Sequence, residues 1–435
     1  MQIIKKNVFK VFLPSILLLL LLSCRSTSIL EEASDSKVNQ EPESELCLGS
    51  TPLTETEPVI EKEEVLTKEE QSEQTQEKQE ALTLLFAGDI MAHEENYRID
   101  DFNKIWIDVK EIISQADLAF GNIESPIDQT KKVSAYPYFN MSKQYAEAAV
   151  EAGFDVFSLS NNHTFDKGVN GMQETLRTAK ELSEKYSTNE NPLYFSGIRE
   201  NPKGEYTYNI IEKKGWKILF LPVTELLNLQ EARDYVNYSK DTEEGRDILI
   251  KYCKSLREKN PCDLFILSFH TSEPEYVRSY KKSQTQFYEK LLDAGVDIVW
   301  ANHAHLIKDR KIIIDTQNHT QKIIMYGNGN TISGQRRAPE LTSKNPNGER
   351  DNTGDGLLYK VTFTKKSLDS KPEIAFAKPI FITTYINTAN HFILRKLDDE
   401  FINYLYNVNR TDWAEYIKRR KSINEDYTKD LIEWR

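Results

Sequence analysis

The stretch FDVFSLSNNHTFDKGVNG, residues 154–171, decides the fold of this chain. Its first half is largely apolar, which predicts a buried β-strand. Its second half replaces the expected turn with NNHTFD, whose side chains bind metals or transfer protons, and a helix is predicted from about Gly171 to Lys185. A buried strand that ends in such side chains and leads into a helix predicts an α/β sheet with a functional site at the strand end.

The alternation of strands and helices continues on both sides of this stretch. Buried strands are predicted at 82–89, 116–122, 263–270 and 296–301, and helices at 104–115, 143–153 and 284–294. The runs 206–223, 311–329 and 356–366 are predicted to be antiparallel. This order predicts an α/β fold with mixed sheets at 81–380, followed by a peripheral helical extension at 381–435.

Polar side chains gather where the predicted strands end. Five of the seven histidines lie there, and a lone histidine at a strand end is usually structural, whereas five accompanied by carboxylates indicate a site. The residues concerned are Asp89, His93, Asn122, Glu124, Asn161, Asn162, His163, Asp166, His270, His303 and His305.

This mixture of side chains suits a metal centre. Imidazole, carboxylate and amide groups are ligands for zinc, manganese or iron. A carboxylate shared between several imidazoles favours two metal ions about 3.5–4 Å apart that activate one water. His303 and His305 would face opposite ways on an extended strand, so both reach one site only if the chain turns there.

The order GD, GN-x-E, NNH, H and H-x-H resembles the calcineurin-like metallophosphoesterase superfamily, and more closely its CapA family of bacterial poly-γ-glutamate capsule synthesis proteins. The segments GDIM, GNIESPI, NNHTFDKG, LLDAGVDIVWANHAHL and YGNGN each resemble a block of that family, and the similarity covers about Leu82 to Ser333. The resemblance implies a four-layer α-β-β-α sandwich with two divalent metal ions at the strand ends.

The resemblance also implies roles for single residues. The implied metal ligands are Asp89, His93, Glu124, Asn162, His270, His303 and His305, with Glu124 where the superfamily has a bridging aspartate. His163 is implied as the histidine that assists the phosphoryl group or leaving oxygen, and Asp166 either orients it or caps the next helix.

The chain departs from the family pattern in three places. His93 follows Asp89 after three residues, whereas the superfamily motif is Asp-x-His. The blocks HTSEPEY (270–276) and ANHAH (301–305) lack the glycines of the family, and glycine is used where backbone approaches a ligand closely. Within the first block, Glu273, Glu275 and Tyr276 either line the substrate side or form a solvated loop.

The N-terminus predicts export from the cytoplasm. A positive start and the apolar run Ile16 to Leu22 precede Leu-Leu-Ser-Cys, which describes a secretory signal. The ending resembles a lipoprotein lipobox, which implies cleavage before Cys24 and its lipidation; a plain signal peptide and an uncleaved anchor are the alternatives. Each alternative places the protein outside the cytoplasm, and the lipobox predicts a membrane-anchored lipoprotein of a bacterial cell envelope with its signal peptide at 1–24.

Residues 25–80 are predicted to form a disordered acidic tether. Sixteen acidic residues and four lysines lie between Glu31 and Glu80, and their difference equals the net charge of −12 for the whole chain. The rest of the chain therefore has no basic surplus, which argues against nucleic acid as a partner. Cys253 and Cys262 could pair within the folded part or remain two buried thiols.

Three functions follow from these observations. The first is CapA-like action on an anionic envelope polymer, either poly-γ-glutamate or a polysaccharide, by a metal-dependent hydrolase that works with capsule-synthesis machinery. The second is a periplasmic metallophosphatase or nucleotidase that acts on a small phosphoester. The third is a non-catalytic module that binds the polymer.

Overall fold

The computed structural model describes residues 80–367 and 369–435, which belong to one compact unit, Gln71–Arg435. The predicted signal peptide, the lipidated Cys24 and the acidic tether before residue 80 lie outside the described residues. Within the part of the chain that is described, no helix has both the length and the apolar character needed to cross a membrane.

The described chain forms strands β1 to β15 and helices α1 to α8. In chain order the strands are β1 (Leu82–Ile90), β2 (Leu118–Ile123), β3 (Val156–Ser158), β4 (Tyr194–Ser196), β5 (Asn209–Lys213), β6 (Trp216–Thr224), β7 (Leu264–His270), β8 (Ile298–Asn302), β9 (Arg310–Asp315), β10 (Thr320–Met325), β11 (Asn330–Ile332), β12 (Asp355–Thr364), β13 (Glu373–Ile386), β14 (Phe392–Lys396) and β15 (Asp430–Trp434). The helices are α1 (Lys110–Ser114), α2 (Lys143–Glu151), α3 (Gly168–Tyr186), α4 (Glu243–Lys259), α5 (Lys282–Asp293), α6 (Glu349–Asn352), α7 (Asp399–Asn407) and α8 (Thr411–Tyr427).

The strands form two mixed sheets, as the sequence predicts. The first sheet has eight strands in the order β14-β13-β12-β1-β2-β3-β4, with β11 paired to β1. The second has seven strands in the order β15-β9-β10-β8-β7-β6-β5. Strands β1 to β4 are parallel, as are β6, β7, β8 and β10, so each sheet gathers several carboxyl ends at one edge.

The two sheets pack face to face with helices outside them, which confirms the predicted four-layer sandwich. In β1, Leu84 and Phe86 point into the core between the sheets, while Leu85 and Ala87 point to the helices on the other side. This alternation follows from the two-residue period of a strand. Helices α1 to α3 cover the first sheet, and α4 and α5 cover the second.

The local predictions differ from the structure mainly at element ends. The predicted helix 104–115 is divided into a 3₁₀ helix at Phe102–Ile105 and the short α1. The hairpin predicted within 206–223 is confirmed, because β5 and β6 pair antiparallel around Lys214 and Gly215, which have φ values of 50° and 75°. Cys253 and Cys262 are free thiols.

The C-terminal extension contains the predicted helices α7 and α8, but it is not peripheral. The boundary placed at residue 380 falls inside β13, which pairs with β12 along most of its length. At the other end of the extension, β15 pairs with β9, with Asp430 beside Arg310. The extension therefore completes an edge of each sheet, because strand pairing joins segments that are far apart in sequence.

Candidate metal centre

The carboxyl ends of the parallel strands from both sheets meet at one place. Asp89 is the last residue but one of β1, and Glu124 follows β2 directly. His270 ends β7, and His303 follows β8 directly. The sheets are joined beneath this place by the Trp300 indole, which donates a hydrogen bond of 2.9 Å to the carbonyl of Ala87.

Glu124 lies at the centre of the cluster. Its carboxylate belongs to two groups whose ligand atoms all lie within 4.8 Å of one another: one with His270 and His303, the other with Asp89 and His305. Its Oε1 is 3.8 Å from Nε2 of His270 and 4.0 Å from Nε2 of His305. One buried carboxylate shared by two groups of potential ligands is the arrangement that could hold a metal on each side.

Asp89 and His305 lie close together, and each has a hydrogen-bonding partner on a neighbouring strand, β2 or β11. Asp89 accepts a hydrogen bond of 2.8 Å from the Asn122 amide, and its other oxygen is 3.3 Å from Nδ1 of His305. That nitrogen also lies 3.0 Å from Oδ1 of Asn330. Gly88 permits this approach, because a Cβ there would lie 1.8 Å from the carbonyl oxygen of Gly329.

Asn162 lies on the other side of Glu124. Its Oδ1 is 2.8 Å from Nε2 of His270, and its amide donates a hydrogen bond of 3.2 Å to Asn228. The carbonyl oxygen of this amide is therefore directed at the group that contains His270 and His303. Its predicted role as a ligand agrees with that position and stays a prediction.

The turn predicted between His303 and His305 is present. His303 has a φ of 87°, in the left-handed region that side chains other than glycine rarely occupy. The turn brings both imidazoles into the site, with ring centroids 5.9 Å apart. A backbone conformation that costs free energy at this position is the kind of strain found at functional sites.

His163 and Asp166 form a buried pair at the edge of the centre. Nδ1 of His163 lies 2.7 Å from Oδ2 of Asp166, which also accepts a 2.8 Å hydrogen bond from the Phe139 amide. Helix α3 begins after Lys167 with no side-chain cap. The structure therefore favours the orienting role for Asp166 over the capping role.

Among the histidines and carboxylates predicted as ligands, His93 is the one that the structure leaves outside both groups. It follows the end of β1 by three residues, and its ring packs edge-on against Phe139 at 5.0 Å between centroids. The two additional residues between Asp89 and His93, compared with the Asp-x-His motif, carry the histidine past the strand end. Its role as a ligand stays a prediction.

The loop after β7 is more ordered than a solvated loop. Glu273 is buried, and its carboxylate lies 3.7 Å from the ammonium of the buried Lys308. Oε1 of Glu275 lies 3.9 Å from Nε2 of His303, and the Tyr276 ring is 6.0 Å from that of His305. Sequence reasoning missed Lys308 and Asn228, because a single lysine or asparagine in a loop carries no signal of its own.

The electrostatics of the centre suit a bound cation. Burial, and next the nearby Asp89, raise the pKa of Glu124 well above its ordinary range. Burial lowers the pKa of His270 and of His303 well below the ordinary value, which keeps both imidazoles neutral and their lone pairs available. Divalent cations bound nearby would stabilise the ionised carboxylate of Glu124 and so offset the free-energy cost of burying its charge.

Several buried ligand atoms have no hydrogen-bond partner among the described residues. They are both carboxylate oxygens of Glu124, Oδ2 of Asp89 and the Nδ1 atoms of His270 and His303. Buried charges are normally paired or coordinated to metals. The residues therefore fit a metal centre, since an ion would satisfy the oxygens that protein groups leave unsatisfied.

Comparison with known proteins identifies the family. The bacterial capsule synthesis protein PGA_cap family matches residues 83–335, more than half of the chain. Capsule biosynthesis protein CapA of Bacillus anthracis is 24% identical over 268 residues, which cover 59% of this chain and 61% of that protein. PGA biosynthesis protein CapA of Bacillus subtilis (strain 168) is 24% identical over 262 residues, 59% of this chain and 64% of that protein.

The chain thus spans somewhat less than two thirds of the length of these relatives. The matched region includes every strand that contributes to the cluster around Glu124. The chain therefore belongs to the bacterial capsule synthesis protein family PGA_cap.

Proposed function

We propose that this chain is a lipid-anchored, extracytoplasmic CapA-like protein that hydrolyses an anionic polymer during capsule biosynthesis. The observation that carries the proposal is the buried Glu124 carboxylate shared between two groups of potential metal ligands. The names of the relatives support a role in capsule biosynthesis. The lipid anchor rests on the sequence around Cys24.

Two divalent ions are proposed, with manganese, iron and zinc all compatible with the ligand types. One would be held by Asp89, Glu124 and His305, and the other by Glu124, Asn162, His270 and His303. Ions bound there would activate a water and neutralise developing negative charge on the substrate.

The pair of His163 and Asp166 supplies proton transfer. With Nδ1 directed at the Asp166 carboxylate, Nε2 of His163 is left to meet the substrate. Oriented in this way by Asp166, His163 would donate a proton to the leaving group as the bond breaks. This buried pair lies outside both groups of potential metal ligands, which favours a hydrolase over a module that only binds the polymer.

The experiment measures metal content and turnover of the full-length chain in detergent micelles. Oligo-γ-glutamate, an acidic capsular polysaccharide and a small chromogenic phosphoester serve as substrates. Asp89→Ala and His303→Ala are the test variants. His319→Ala is the matched control, because His319 is an exposed histidine that also has a positive φ, of 52°.

About two metal ions per chain, with polymer cleavage lost in both test variants and kept in the control, would support the proposal. Turnover of the phosphoester alone would instead support a metallophosphatase. Metal without turnover of any substrate would support the binding module. Absence of metal after reconstitution would contradict both the polymer hydrolase and the metallophosphatase.

A further inference from the structure

Asn330 of β11 is a buried side chain that contacts His305, one of the potential metal ligands. Its Oδ1 lies 3.0 Å from Nδ1 of His305. A neutral imidazole carries its hydrogen on one of two ring nitrogens, and the group that contacts one nitrogen decides which of them is left to bind a metal. The orientation of the Asn330 amide therefore matters for the candidate metal centre.

The amide nitrogen of Asn330 is fixed by three oxygen atoms. It shares its hydrogens among Oγ of Ser333 and Oε1 of Gln335, both at 2.9 Å, and the carbonyl of Thr353, at 2.8 Å. A main-chain carbonyl only accepts hydrogen bonds, so the nitrogen of the amide must lie on the side of Thr353. Oδ1 of Asn330 is therefore the atom that faces His305.

This orientation selects one tautomer of His305. An amide oxygen has no hydrogen to donate, so Nδ1 of His305 must donate to it. The lone pair of the neutral ring is then on Nε2, which lies 4.0 Å from Oε1 of Glu124. A ring nitrogen that carries a hydrogen does not bind a metal, so Nε2 is the nitrogen that is left for this purpose.

The carbonyl that fixes Asn330 belongs to a segment that α8 holds in place. Thr353 follows Asn352, the last residue of α6. Oδ1 of Asn352 accepts hydrogen bonds of 2.9 Å from Arg420 of α8 and of 2.8 Å from Arg278. Thr353, Asn352 and Arg420 are all buried. A helix near the C-terminus is therefore connected to Asn330 through two successive residues.

Arg278 connects the same helix to the loop that carries His305. Its Nη2 donates a hydrogen bond of 3.2 Å to Oδ1 of Asn424 on α8, and its Nη1 donates one of 2.9 Å to the carbonyl of Ile307. Its guanidinium also lies 5.6 Å from the ring centroid of Tyr427, the last residue of α8. One guanidinium thus joins α6, α8 and the chain that follows His305.

We propose that Asn330 is a positioning residue that leaves Nε2 of His305 free to bind a metal. Arg278 and α8 hold Asn330 in place through the carbonyl of Thr353. Thr353 and α8 lie outside the family-matched region, residues 83–335. The inference rests on the proposed function, because it assigns the support of one ligand of its metal centre to a part of the chain beyond that region.

The first measurement is the tautomer of His305 in the chelator-treated full-length chain in micelles, by NMR of protein with ¹⁵N-labelled histidine side chains. The spectrum of His305→Ala identifies the His305 signals. The unaltered protein should carry the hydrogen on Nδ1. In Asn330→Ala the ratio of the tautomers should shift toward hydrogen on Nε2 by about tenfold, the effect of losing one buried hydrogen bond.

Arg278→Met tests the contribution of α8 in the same spectra. Methionine keeps a long side chain but removes the hydrogen bonds to Ile307, Asn352 and Asn424. The ratio of the tautomers should shift in the same direction by a smaller factor, about threefold, because this side chain acts on His305 only through other residues.

The second measurement is the affinity for Zn²⁺, by titration against a competing chelator. Asn330→Ala should weaken binding of one of the two ions by about tenfold or more, because an outer residue that orients a ligand has been removed. The other ion should bind as it does to the unaltered protein, since His305 belongs to only one of the two groups. A general loss of structure would weaken both ions.

Two matched controls accompany these variants. Asn237→Ala also removes a buried asparagine whose amide donates to main-chain carbonyls, those of Thr207 and Pro222. Arg257→Met also removes a partly buried guanidinium, which pairs with Asp297 at 3.0 Å, just before β8 begins. Both controls should leave the tautomer of His305 and the affinity for both zinc ions unchanged.

Hydrogen on Nε2 of His305 in the unaltered protein would overturn the role of Asn330, as would equal weakening of both zinc ions in Asn330→Ala. A ratio of tautomers in Arg278→Met equal to that in Arg257→Met would overturn the contribution of α8. Because the tautomer is measured without metal, these outcomes are distinct from a failure of the proposed function, which would appear as absence of bound metal or of turnover.

Discussion

Nδ1 of His163 lies 2.7 Å from Oδ2 of Asp166, and both side chains are buried beside the candidate metal centre. The same carboxylate oxygen accepts the Phe139 amide hydrogen bond, so Asp166 is fixed before it meets the imidazole. A proton donor that is oriented by a fixed carboxylate needs no rearrangement as it gives up its proton. Because neither residue belongs to a group of potential metal ligands, this geometry predicts that proton transfer and metal binding can be lost separately.

Asp166→Asn should therefore lower polymer turnover on the order of 10²-fold, because the amide no longer orients Nδ1 of His163 as the carboxylate does. Bound metal should stay at the level of the unaltered protein, since Asp166 belongs to neither ligand group. Turnover and metal content are measured on the same samples. Asp155→Asn is the control, because Asp155 also accepts a backbone N–H, from Ala119 at 2.8 Å, but precedes β3. Loss of metal in Asp166→Asn would contradict this division of roles.

Glu124 should make the metal-free protein less stable as the pH rises. Burial, and next Asp89, raise its pKa, so the folded state keeps a proton that the unfolded chain loses near its ordinary value of 4.5. The unfolded state then binds fewer protons, and the free energy of unfolding decreases above pH 4.5 until the raised pKa is reached. Below pH 4.5 Glu124 is protonated in both states, and the full stabilisation of the folded state is present.

Glu124→Gln should flatten that dependence, as measured by the Tm of chelator-treated protein between about pH 5 and about pH 8. The variant should also bind less metal, because both groups lose their common charged ligand. Glu184→Gln, at an exposed position on α3, is the control for loss of one carboxylate. An unchanged pH dependence together with full metal binding would show that Glu124 does not occupy the centre.

Cys24→Ser should abolish incorporation of a fatty-acid analogue in a bacterial host and move the protein out of the membrane fraction. We expect this result because the thiol of Cys24, the residue after the predicted cleavage position, is the group that would be acylated. Cys47→Ser removes the other cysteine of the predicted N-terminal segments and serves as the control. Labelling that persists in Cys24→Ser would contradict acylation at Cys24, and no labelling of the unaltered protein would favour an uncleaved anchor or a plain signal peptide.

The residues of the candidate metal centre could be predicted from the sequence, whereas the course of the loops that surround it could not. Residues such as Glu124 and His270 follow apolar strands, and parallel strands in one sheet bring their ends together, so local pattern and topology were sufficient. The position of His93 depends on how the backbone leaves β1, which no periodicity describes. Asn228 reaches Asn162 from a loop after β6, a contact that spans 66 residues.

The C-terminal strands show a second limit of sequence reasoning. β15 has its pairing partner 120 residues earlier, and an edge strand of five residues has little pattern of its own. Helical spacing predicted this part of the chain to be helical, whereas the attachment of α7 and α8 to the sandwich depends on an apolar cluster with Tyr385 of β13 and on buried polar contacts. Those contacts become visible only when distant residues are in place.

Arg420 of α8 and Asp355 of β12 provide the strongest such contact. Both side chains are fully buried, and Nε of Arg420 donates a hydrogen bond of 2.7 Å to Oδ2 of Asp355, whose other oxygen accepts one of 2.7 Å from Arg336. Burial alone would raise the pKa of Asp355, but Arg420 and then Arg336 outweigh it and hold the value at about 2. The carboxylate therefore stays charged in the folded protein.

Arg420→Met should destabilise the protein by about 3–5 kcal/mol, because it leaves part of a buried charge without its partner while keeping a long side chain. Chemical unfolding of the full-length chain measures the loss. Lys421→Met is the control, since the neighbouring lysine is partly exposed and its pairs with Asp399 and Glu425 lie at the surface, where ion pairs contribute at most about 1 kcal/mol. Equal stabilities of the two variants would contradict the view that α8 is anchored through Asp355. The contact between α8 and β12 would then contribute little to the free energy of unfolding, although the extension pairs with both sheets.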